Sequence, residues 1–107
     1  MKAFITLVPT VRSDGVAVTR TERDDILEGL WKRFGGVTLE GVVEGHWIDP
    51  ADGKHYGDRC WKILVAFEGE RIQEAREAVL EIGRRLGQKA MYFEVREGIE
   101  ILDVPES

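Results

Sequence analysis

Val37-Thr38-Leu39-Glu40-Gly41-Val42-Val43-Glu44-Gly45-His46-Trp47-Ile48 runs into Asp49-Pro50-Ala51-Asp52-Gly53, and the chain returns from Lys54 to Ile63-Leu64-Val65-Ala66-Phe67. The first segment alternates. Val37, Leu39, Gly41, Val43, Gly45 and Trp47 share one face of a strand, and Thr38, Glu40, Val42, Glu44 and His46 share the other. Pro50 after Asp49 and Gly53 after Asp52 supply turn chemistry. The whole reads as a long hairpin. A helical pattern lies on each side of it, and that arrangement decides the fold.

Upstream, Thr19 followed by Glu22 predicts a reciprocal capping box. Ile26, Leu27, Leu30, Trp31 and Phe34 then recur at helical spacing until Gly35-Gly36, which predicts a helix over about residues 20–34 with Trp31 in the core. Downstream, Ile72, Ala75, Val79, Ile82 and Leu86 form a second stripe within Glu70 to Leu86, stopped by Gly87. Lys2 to Val8 and Ala90 to Arg96 complete a β-α-β-β-α-β order. Glu97-Gly98 fits a tight turn, which makes Ile99 to Val104 a candidate extra C-terminal strand. Right-handed crossovers turn this order into an α+β, ferredoxin-like βαββαβ sandwich, an antiparallel sheet with two helices on one face. Between the first strand and the first helix, Ser13-Asp14-Gly15 marks a small hairpin or flap.

Composition bounds the rest. The chain has 107 residues, 15 basic and 20 acidic, with a net charge of −5. That length predicts one ferredoxin-like domain over residues 1–107. The acidic balance argues against nucleic acid, and strand three lacks the glycine and aromatic spacing of RNA-recognition domains. The apolar stretch Phe4 to Pro9 is too short for a signal peptide or membrane span. One cysteine excludes an intrachain disulfide framework, so a cytoplasmic location is expected. Asparagine is absent and arginine supplies ten of the basic residues, a pattern that leans towards a thermophilic source. No resident cofactor is indicated, because the glycines follow a helix instead of opening one.

The hairpin also carries the candidate binding residues Glu44, His46, Trp47, His55, Tyr56, Asp58 and Arg59. A register centred on the Asp49–Gly53 turn pairs Leu39 with Ile63, Glu40 with Lys62, and Gly41 with Trp61, where a missing side chain leaves room for the indole. Nearer the tip it sets Glu44 against Asp58 and His46 against Tyr56. Two facing carboxylates repel. A solvated tip, a cation from a neighbouring subunit, or a metal held by Glu44, Asp58 and His46 would each relieve this. Cys60 reads as a buried, inert thiol. No catalytic residue is assigned.

Phe34-Gly35-Gly36-Val37-Thr38 and Gly45-His46-Trp47 give a Gly-Gly-x-Thr and Gly-x-Trp pattern. With the hairpin that follows, it resembles a group of small bacterial ferredoxin-like proteins with no assigned function. More loosely, the order of elements is similar to the trimeric signalling and metal-tolerance proteins related to PII and CutA, and to ferredoxin-like dimeric barrels. The resemblance implies self-association. So does an open sheet face carrying Val42, Cys60, Leu64, Ala66 and Tyr92. Two functions are consistent with this reading. One is a homo-oligomeric binding or regulatory module, dimer or trimer, for a small ligand or protein partner. The other is a cofactor-free enzyme of the dimeric-barrel type acting on a small organic molecule, with His46 or His55 as base and Tyr56 or Arg59 stabilising an anion.

Overall fold

The computed structural model describes residues 1–105. Its elements run β1 (Lys2–Pro9), α1 (Arg20–Phe34), β2 (Thr38–Ile48), β3 (His55–Phe67), α2 (Ile72–Arg85) and β4 (Glu94–Arg96), with a 3₁₀ turn, Gly69–Arg71, leading into α2. The strands form one antiparallel sheet in the order β2-β3-β1-β4. This is the expected ferredoxin-like α+β sandwich. The molecule is elongated, 57 × 29 × 22 Å, because the hairpin runs on past the helices. Among the described residues, no helix is long and apolar enough to cross a membrane.

The core lies between the helices and one sheet face. Phe4, Val8, Ile63 and Val65 from the sheet meet Ile26, Leu30 and Phe34 of α1 and Ala75, Val79 and Ile82 of α2. Phe4 sits among aromatic rings, with centroids 5.6 Å from Phe34, 5.7 Å from Phe67 and 5.6 Å from Phe93. Trp31 does not join them; it is 47% exposed. Each helical residue advances about 100°, so Trp31 falls about that far from the centre of the Ile26–Leu30–Phe34 stripe.

Both helix ends follow local chemistry. The Thr19 hydroxyl accepts from Glu22 N at 3.1 Å. The reciprocal half of the capping box is missing, because the Glu22 carboxylate is bound by Arg12 of the flap and by Arg85 of α2. The Arg12 and Arg85 guanidiniums hold its pKa below the ordinary value. The flap is a small turn, closed by a Val11–Ala17 bridge. After α2, Gly87 N donates to Arg84 O and Gln88 N to Gly83 O, with Gly87 at φ +67°. That is a Schellman cap, and it aims residues 88–92 along the sheet edge.

β4 is shorter than the Ala90–Arg96 expected. The Thr6 hydroxyl donates to Tyr92 O at 2.7 Å, so a side chain satisfies that carbonyl where a strand ladder would have. Residues 99–104 form no strand either. Ile99 N donates to Met1 O, and beyond it Ile101, Leu102 and Val104 are 71%, 75% and 88% exposed.

The largest departure lies inside the hairpin. Thr38 pairs with Leu64 and Leu39 with Ile63, as expected, but Val42 then pairs with Trp61. A β-bulge between Leu39 and Val42 absorbs one extra residue, and Gly41 within it has φ +104°. A Cβ on Gly41 would meet nothing within 4 Å. The glycine is therefore there for its backbone conformation, not to make room for Trp61. Every β2 residue beyond the bulge changes face. Val42 consequently leaves the open sheet face for the helix side. The open face that remains buries Ala3 and Ile5 completely and Leu64 and Ala66 in part. Lys62 pairs there with Glu40 at 3.2 Å, and Glu94 binds Arg96 at 2.9 Å and the Tyr92 hydroxyl at 2.8 Å.

Candidate functional site

Beyond the bulge, Glu44 faces Arg59, Gly45 faces Asp58, His46 faces Gly57, Trp47 faces Tyr56 and Ile48 faces His55. The expected opposition of Glu44 to Asp58 and of His46 to Tyr56 does not occur. The residues instead sort into two groups. Trp47, Tyr56 and Asp58 share the open sheet face with Cys60, while Glu44, His46, His55 and Arg59 share the helix-side face.

On the open face, the rings of Trp47 and Tyr56 stack with centroids 5.1 Å apart and planes at 26°. Trp47 Nε1 donates to Asp58 Oδ2 at 3.1 Å. The Tyr56 hydroxyl donates to Asp52 Oδ2 at 2.7 Å. This bond raises the Tyr56 pKa and, after the Lys54 backbone N–H, is the second cause lowering that of Asp52. Tyr56 is thus a committed donor, and its hydroxyl is not offered to an external anion.

Trp47 and Asp58 stand between two hollows. One, of about 410 Å³, is mostly apolar and is bounded by Leu7, Pro9, Cys60, Met91 and Tyr92. The other, of about 480 Å³, is polar and is bounded by Arg12, Ser13, Asp49, Tyr56 and Lys89. Gln88 and Ala90 border both. Together they make one groove between the hairpin and segment 88–92. Close packing sets the position of that segment: a Cβ on Gly83 would lie 2.7 Å from Met91 Cγ. Cys60 in the apolar wall is 7% exposed, and burial, then the Asp58 charge, pushes its thiol up to about 11. It is a packing residue and not a nucleophile.

On the helix-side face, His46 Nδ1 lies 3.0 Å from His55 Nε2 and His46 Nε2 lies 3.4 Å from Glu44 Oε2. His46 also borders the apolar hollow, yet strand alternation sends its ring to the face opposite Trp47. Neither histidine is placed as a base beside Tyr56. Among the described residues, no three His, Cys, Asp or Glu side chains converge as a metal cluster, and Asp58 is on the wrong face to join Glu44 and His46.

The sequence did not point to Leu7, Pro9, Gln88, Ala90 or Met91 as groove residues. Gly87 was the available signal, since a C-cap there fixes where residues 88–92 go.

No family model matches the chain, and no curated protein matches it. Among solved structures, the chain is similar in fold to a phage SAM lyase in complex with S-methyl-5'-thioadenosine. The TM-score is 0.72 at 12% identity, covering 90% of this chain and 80% of that one.

Proposed function

We propose that the chain is a small enzyme that acts, without a resident cofactor, on a small organic molecule with a flat ring bound in the groove. One observation carries this: Trp47, stacked on Tyr56 and tethered to Asp58, separates an apolar hollow from a polar one. Apolar walls with a few convergent polar groups suit an amphipathic small molecule. In the proposed mode Trp47 is the flat wall, Leu7 and Met91 hold an apolar arm, and Ser13 and Gln88 meet polar groups. Asp58 Oδ2 is engaged by the indole, which leaves Oδ1 to accept a substrate proton.

The structural neighbour supports an enzyme over a regulatory module. Its ligand also joins a flat purine to an apolar thioether. Nucleoside thioethers and their sulfonium precursors are therefore the first compounds to test. Titration should quench Trp47 fluorescence, with Trp47→Ala weakening binding at least tenfold, and mass spectrometry should detect turnover that Asp58→Asn abolishes. Binding without turnover across a panel of flat amphipathic compounds would return the chain to the binding-module reading.

Self-association is a second proposal, supported by the exposed Ile101, Leu102 and Val104. Light scattering should give at least a dimer mass, and a monomer of 12.1 kDa would refute it. The lone cysteine supports a cytoplasmic setting for either proposal.

A further inference from the structure

The helix-side face of the hairpin tip carries a histidine pair, on the strand face opposite Trp47. His46 lies on β2 and His55 on β3, both exposed, with Nδ1 of one 3.0 Å from Nε2 of the other. Their rings are parallel to within 9°, with centroids 5.1 Å apart. Gly57 makes this arrangement fit. A Cβ there would come within 3.2 Å of His46 Nδ1, so the imidazole lies down over β3. On its far side His46 Nε2 is 3.4 Å from Glu44 Oε2.

Two imidazole nitrogens this close share one proton, since one must donate and the other accept. A divalent transition ion can take the place of that proton. With metal–nitrogen bonds of about 2.0–2.1 Å, ligands at a right angle sit about 2.9 Å apart and tetrahedral ligands about 3.3 Å. The 3.0 Å is that of a hydrogen-bonded pair whose lone pairs face each other, so each exposed ring turns by about 45° to aim at a shared ion with ligands at a right angle. Copper(II) is the divalent first-row ion that such a nitrogen pair holds most tightly. Glu44 then plays the part of the outer carboxylate that fixes a ligating histidine through its other nitrogen.

We infer that His46 and His55 form a two-imidazole site for a tetragonal divalent ion, copper(II) ahead of nickel(II) and zinc(II), oriented by Glu44. With no third His, Cys, Asp or Glu converging among the described residues, water fills the remaining positions. The ion ties β2 to β3 on the face opposite the groove, and so pins the register that stacks Trp47 on Tyr56. With the ion on Nδ1, His46 carries its ring proton on Nε2, towards Glu44, and binding stabilises the fold by mass action.

The test is a copper(II) titration of the full metal-free chain, read by calorimetry and electron paramagnetic resonance. One ion per chain with two nitrogen ligands is expected, together with a higher thermal midpoint. His46→Gln and His55→Gln should each weaken binding at least tenfold, and Glu44→Gln by about 10–100-fold. Asp58→Asn, on the other face, should leave binding unchanged. The inference is overturned if the His46→Gln/His55→Gln double variant binds copper as tightly as the parent, if the spectrum shows fewer than two nitrogens, or if Asp58→Asn weakens binding as much as the histidine variants do. Far-UV circular dichroism confirms that each variant is folded before its affinity is read.

Discussion

The base and the tip of the β2–β3 hairpin have the same alternating pattern but different registers. At the base, Leu39 meets Ile63 and faces the core, as alternation alone requires. At the tip, each β2 residue has moved by one relative to its partner. One bulged glycine therefore separates a part of the hairpin held by core packing from a part whose faces are set by the bulge. The shift replaces a repulsive Glu44–Asp58 pair with Glu44 opposite Arg59, and it brings Trp47 onto Tyr56. A one-residue change in register moves a whole set of side chains to the other face.

Deleting Gly41 should erase the distinction most completely. Glu40 would then precede Val42 directly, so regular pairing would run from Leu39–Ile63 through Val42–Trp61 to Trp47–Tyr56 without a bulge. We expect the near-ultraviolet circular dichroism of the stacked pair to survive. Its loss would show that the tip depends on the bulge itself and not on the pairing with β3. Gly41→Val keeps the bulge. It keeps the residue count but puts a β-branched side chain at positive φ, at a cost of about 1–3 kcal/mol in denaturant unfolding. Because no atom crowds that position, the loss should come from the backbone alone, and D-alanine introduced there by chemical synthesis should recover it.

Acid should act on the body through Glu74 and Glu22, and at the tip through Asp52. Hydrogen bonds from Arg71, then Arg33, hold the Glu74 carboxyl at about 2, well below its ordinary value near 4.5. Its contribution to stability is thus complete above about pH 4.5 and is lost as pH falls towards about 2. Glu22 acts in the same direction. Glu74→Gln should flatten the acid limb of a thermal-midpoint profile, and a profile unchanged by the substitution would show that this network does not contribute. The smallest effect is at Cys60. Its thiol should resist iodoacetamide in the folded protein at pH 8 and react once the chain is unfolded, because burial keeps it protonated. Rapid labelling of the native chain would mean that the apolar hollow opens.

Short-range chemistry in the sequence determined the element order, both helices, the Thr19 hydroxyl cap, the glycine stops and the tight turn at the hairpin tip. Each depends on residues within one or two turns of one another, so periodicity and capping reveal it. The same reasoning collected Trp47, Tyr56 and Asp58 in the hairpin, together with Glu44, His46 and His55. It could not sort them between faces. Gly41 looks the same in sequence whether it leaves space for an indole or turns the backbone, and only pairing with β3 distinguishes the two. Trp31 shows the same limit, since an apolar residue at the margin of a stripe is covered only if a neighbouring element reaches it. The groove needed tertiary structure as well: Met91 against Gly83 and Thr6 on the Tyr92 carbonyl join residues far apart in the chain. Local sequence sets which conformations are cheap, whereas a face, a register or a hollow is decided by what the folded chain packs against it.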